Sequence, residues 1–186
     1  MSCRYNASLT ARLKARFRRF AEDNRGLAAV EFAMIAAPFF FLLFGLLEIC
    51  MIFIMSSILD HAVSEASRPL RTGQAQKAEI NADQFRDSVC ERLMGILDCD
   101  NRLHIDVREV DGFASTPTGS PVDALGNIDP DQFDFQPGGP NDIVAVRIFY
   151  EWNLMAPGIS MPLRNMSGNK HLMSATAVFR NEPFGN

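Results

Sequence analysis

The sequence predicts an α+β protein: a long N-terminal transmembrane helix, a second helix, and a small antiparallel sheet of about three strands. Three observations predict it. Leu27 to Leu59 is apolar apart from Glu31 and Glu48. Phe85, Val89 and Leu93 recur at helical spacing. Three later segments alternate apolar and polar residues, or are apolar on both faces, as strands do.

As a helix, residues 27–59 would be about 50 Å long, more than the ~30 Å hydrocarbon core. Apolar side chains surround its whole circumference, which a buried helix of a soluble protein does not need. Pro38 removes one backbone donor inside it, so a kink or local unwinding is expected there. The helix should outlast the membrane, because Ile58, Leu59, Ala62, Val63 and Ala66 keep i, i+3, i+4 spacing. Pro69 and Gly73 then end it or bend it. A secretory signal is a poor alternative. The apolar run far exceeds the usual ~7–15 residue core, and Ala62-Val63-Ser64 lies too far downstream to be its cleavage site.

The second helix is predicted from about Asn81 to Met94, with Asn81 or Asp83 as cap and Gly95 as stop. Leu103, Ile105 and Val107 alternate with His104, Asp106 and Arg108, which reads as a half-buried strand. Ile143 to Trp152 is apolar on both faces, as a central strand is. Met173, Ala175, Ala177 and Phe179 mark the third strand. Such a sheet needs a helical partner to be stable. The segment from Asp111 to Asp142 is too long for a passive connector, so it is either disordered or functional.

Charge divides the chain the same way. Residues 1–26 hold seven Lys/Arg against Glu22 and Asp23, while the whole chain carries −4. A basic leader before an apolar helix stays cytoplasmic, so residues 60–186 are expected outside as one extracytoplasmic domain. The acidic body would repel a phosphate backbone, which argues against nucleic acid.

The junction of leader and anchor reads Arg25-Gly26-Leu27-Ala28-Ala29-Val30-Glu31-Phe32. Glycine allows the open backbone a peptidase would bind. Glu31 is the fifth residue of the apolar run, where a lone acidic group costs about 2.5 kcal/mol or more at mid-membrane depth. The pattern resembles the processing site of type IV-like prepilins. It resembles more narrowly the TadE-like minor pilins (pseudopilins) of tight-adherence (Flp) pilus systems. Residues 26–33 with Pro38 and Phe39-Phe40-Phe41-Leu42-Leu43 carry that likeness. So do Ala66-Ser67-Arg68-Pro69-Leu70-Arg71-Thr72-Gly73-Gln74 and Phe179-Arg180-Asn181-Glu182-Pro183-Phe184. The middle of the chain carries little of it, and Pro69 is unusual for a continuing helix.

The resemblance implies a pilin-like fold and cleavage between Gly26 and Leu27 by an inner-membrane prepilin peptidase. It assigns Glu31 and Phe32 to assembly or processing recognition. The partners it implies are the bacterial inner membrane, the peptidase, other pilins and the pilus assembly platform. The role it implies is pilus biogenesis and surface adhesion. In a stack of subunits, Glu31 of one would meet the new Leu27 amine of another. Glu48, near the outer interface, reads as snorkelling toward water or touching a neighbour's anchor. The rival reading is an uncleaved, membrane-anchored binding module that captures a ligand through residues 111–142.

The remaining chemistry is sparse. Cys90 and Cys99 are expected outside, where disulfides persist. Nine helical steps would part their Cα atoms by about 13 Å, beyond the ~7 Å a disulfide spans, so the chain must turn between them, at Gly95. Cys3 and Cys50 lie in the leader and the anchor. Asp129, Asp131 and Asp134 lack the glycine and distal glutamate of a calcium loop. The histidines are isolated, no serine stands in a nucleophile elbow, and no glycine loop cradles phosphate. The expectation is a non-enzyme without catalytic residues, cofactor, metal or small-molecule substrate.

Overall fold

A computed structural model describes residues 26–185 other than 94 and 157. The readings of 1–25 as a basic leader, Cys3 included, and of Met94 as a helix end fall outside the described residues. The chain divides into two units after Phe44.

Helix α1 is Leu27–Ala66, 40 residues long. In the first unit its apolar side chains, among them Leu27, Phe32, Phe39 and Phe41, are exposed all round. Pro38 sits inside α1 without interrupting it, so the expected unwinding is absent. Helices in apolar surroundings tolerate proline because the freed carbonyl can be satisfied by small local adjustments.

In the second unit α1 changes character. Glu48, Met55, Leu59, Ala62, Val63 and Ala66 form a buried stripe. Helix α2, Arg68–Arg71, follows at once with Pro69 in its first turn, where a missing N–H costs nothing. Gly73 then takes a left-handed φ of 74° before helix α3, Gln74–Lys77. Helix α4 is Ala82–Arg92. Its N-terminus is closed reciprocally. The Asn81 side chain accepts from Gln84 N at 2.9 Å, and Asn81 N donates to Gln84 Oε1 at 3.0 Å. Such a box contributes about 1 kcal/mol. Phe85, Val89 and Leu93, the predicted stripe, are all buried.

Strands β1 (Leu103–Val110), β2 (Ile143–Asn153) and β3 (Lys170–Arg180) form an antiparallel sheet in the order β1-β2-β3. The register places Val107 opposite Val146, and Val146 opposite Ala177. One core cluster joins Met55, Leu59 and Val63 of α1, Phe85 and Val89 of α4, and Val107, Val146, Ile148 and Ala175 of the sheet. Each large side chain buried there contributes roughly 1.5–3 kcal/mol. This is the helical partner a three-stranded sheet requires, and the fold class is α+β.

The second face of the sheet corrects two readings. Asp106, expected on a solvated face, is 0% exposed. The reason is residues 111–142, which are ordered and cover that face. Val122, Ile128 and Phe133 pack with Phe149, Met166 and Leu172. The same segment seals the outer edge of β1. Val107 N donates to Asp134 O at 2.8 Å and Gln136 N to Val107 O at 2.7 Å. Asp106 anchors the arrangement. Its Oδ2 accepts from Arg147 Nε and Nη2 at 3.0 and 2.6 Å, and its Oδ1 from Arg108 Nε at 2.7 Å. Arg147 in turn donates to the carbonyls of Pro117 and Gly119 at 3.1 and 3.0 Å.

Candidate functional site

The residues singled out by sequence fall into two groups. Gly26, Leu27, Glu31 and Phe32 stand together at the start of α1, whose first helical residue is Leu27. All four are exposed. Glu31 stands just over one turn inside this helix.

Cys90 and Cys99 lie elsewhere, at the end of α4 and beyond it. They are joined by a disulfide, with Cα atoms 6.1 Å apart. Gly95 makes the turn between them with φ 69°, a conformation other residues rarely take. The bond closes the end of α4 onto the core, where both cysteines pack. Cys50 is a free, exposed thiol.

Sequence reasoning missed the role of Glu48. Its side chain does not snorkel. It is 2% exposed, and its carboxylate accepts three hydrogen bonds. Met155 N donates to Oε1 at 2.8 Å; Ala156 N and Ser160 Oγ donate to Oε2 at 3.0 and 2.9 Å. Hydrogen bonds to a carboxylate are roughly twice as strong as neutral ones. Glu48 thus latches the β2–β3 connection to α1. Close packing supports the latch: a Cβ at Gly45 would come within 3.0 Å of Ile159 Cγ2. One signal was available. Glu48, Met55 and Ala62 are spaced i, i+7, i+14, so Glu48 shares the face of the core stripe.

Two other motifs meet in space. Glu182 N donates to Arg71 O at 2.8 Å, and their side chains approach to 3.8 Å. Any Cβ at Gly73 would collide with the Phe184 ring. The segment just past α1 and the one just past β3, far apart in sequence, are thus one structural joint.

Residues 26–68 match the family described as TadE-like protein. Over this segment the chain is similar to TadE-like proteins. No curated protein and no solved structure matches. The TadE-like segment takes in Gly26, Leu27, Glu31, Phe32, all of α1 and the latch residue Glu48; it ends at Arg68. The family points to a structural protein associated with the tight-adherence (Tad) pilus. Among the described residues, one helix is long and apolar enough to cross a membrane, which points to a single-pass anchor.

The other polar groups near the sheet are structural in kind. Glu151 lies 3.0 Å from His104 Nε2 and 2.7 Å from Lys170 Nζ. Burial pushes its carboxyl up, but these hydrogen bonds and charges outweigh burial and hold it below the usual carboxylate range. Among the described residues, no three His, Cys, Asp or Glu side chains come together as metal ligands would.

Proposed function

We propose that the protein is a minor pilin (pseudopilin) of a tight-adherence pilus. On this reading residues 1–26 are a cytoplasmic leader, and an inner-membrane prepilin peptidase cuts between Gly26 and Leu27. The helix from Leu27 anchors the chain in the bacterial inner membrane, and the domain behind it lies on the periplasmic side. Assembly then draws the apolar helix from lipid into a bundle with other pilins at the assembly platform.

The observation that carries this reading is the family match, which opens at the Gly26-Leu27 junction and spans the helix. Two features support helix-in-bundle assembly. Ala28, Ala29, Ala33, Ala36 and Ala37 near the start of α1 allow close helix approach. Beyond Glu48, Phe53 and Ile54 stay exposed, and apolar hollows of about 330 and 200 Å³ open beside Phe53. They suit a second apolar helix lying along α1.

Glu31 supplies the mechanistic test. If it pairs with a neighbour's Leu27 amine, Glu31→Ala removes a costly group from lipid and should insert normally. It should still be cut, since Gly26 is unchanged. Its co-purification with pilin partners should fall, because the buried amine has lost its partner. Normal co-purification of the Ala variant would refute the pairing. Joint loss of cutting and co-purification would move Glu31 to peptidase recognition.

A further inference from the structure

Glu48 raises a question the pilin reading leaves open: where along α1 the chain leaves the bilayer. From Leu27 to Leu47 a helix rises about 31 Å, close to the ~30 Å hydrocarbon thickness. The next residue is the buried Glu48, whose carboxylate already has three protein donors. After it, α1 packs into the core of the domain, through Met55 and Leu59.

The connection that Glu48 holds has an unusual surface. Met155 and Met161 are 63% and 60% exposed, and on α1 Leu46, Leu47 and Ile49 beside the latch are exposed too. Charge sets this stretch apart as well. From Trp152 to Asn169, the β2–β3 connection and the end of β2 that leads into it, the chain has no Asp or Glu, while Arg164 is basic and exposed. That is unexpected in a chain with 22 acidic residues and a net charge of −4. Exposed flexible apolar side chains next to Arg164, on a connection that itself carries no carboxylate, match an anionic lipid surface.

We propose that the lipid-embedded part of α1 ends at the Glu48 latch, and that the connection it holds seats Met155 and Met161 in the headgroup region of an anionic bilayer. The seat fixes the depth of the anchor. Glu48 provides the rigidity: its three bonds present the loop to the surface and keep its own charge out of lipid. The inference rests on the single-pass reading and shortens the lipid-crossing stretch from 27–59 to about 27–47.

The test uses the full chain in vesicles of phosphatidylcholine and phosphatidylglycerol, with Cys3 and Cys50 changed to Ser. Single thiols are placed by Met155→Cys, Met161→Cys, Phe39→Cys and Phe113→Cys and carry an environment-sensitive fluorophore. Phe113 follows β1 at the end of the sheet opposite the β2–β3 connection. Nitroxide lipids labelled near the headgroup should quench positions 155 and 161 several-fold more than position 113. Nitroxides deep in the acyl chain should quench position 39. Adding Glu48→Ala should abolish quenching at 161 and leave 39 unchanged. Equal quenching at 155, 161 and 113, with 39 quenched, would overturn the seat alone. An unquenched position 39 would overturn the single-pass reading beneath it. Undiminished quenching at 161 in the Glu48→Ala chain would overturn the latch.

Discussion

Asp106 carries two arginines on a strand whose alternation marks it as solvent-facing. A single residue can thus reverse the meaning of a pattern. Alternation says which side chains share a face, not what covers that face. Here Val122, Ile128 and Phe133 do the covering, and their spacing has no period that could announce it. The energetic consequence is testable. Asp106→Ala leaves Arg147 buried without its countercharge, and loss of one member of a buried pair costs about 3–5 kcal/mol. Arg108→Ala removes the more exposed partner and should cost under about 1 kcal/mol. Urea unfolding of the two variants in detergent measures the contrast. Equal losses would mean that the loop is held by packing alone.

At the scale of elements, the sequence was most informative where one physical rule acts along a continuous segment. The apolar run, the Phe85-Val89-Leu93 stripe and the doubly apolar β2 all carried their structure in their spacing. Contacts that join distant segments were not legible in this way. Glu48 meets Met155, Ala156 and Ser160 across more than 100 residues, and Gly73 meets Phe184. Neither local propensity nor period encodes such a meeting. The disulfide lies between these cases. Its partners followed from compartment, and its turn followed from Gly95. Closing so short a loop should contribute roughly 2.5–3 kcal/mol if it acts through the unfolded chain. The Cys90→Ser, Cys99→Ser double variant should therefore unfold at lower urea. In the native protein, thiol labelling should find both cysteines blocked. Two reactive thiols at 90 and 99 in the exported protein would contradict this.

The described residues combine a first unit whose apolar helical side chains are exposed with a second unit whose sheet is packed on both faces. In the domain, the core, both faces of the sheet and the outer edge of β1 are satisfied by the chain's own residues. The first part of α1 keeps its apolar surface exposed. That asymmetry fits a subunit whose helix passes from lipid into a bundle of helices, and on our account leader removal is the step that permits it. The most direct test is the N-terminal mass of the protein from membranes that contain a prepilin peptidase. The account predicts a chain beginning at Leu27, and a full-length chain for Gly26→Val, since a β-branched residue cannot take the open conformation cheaply. An intact Met1 on the wild-type protein, or normal shortening of Gly26→Val, would contradict it.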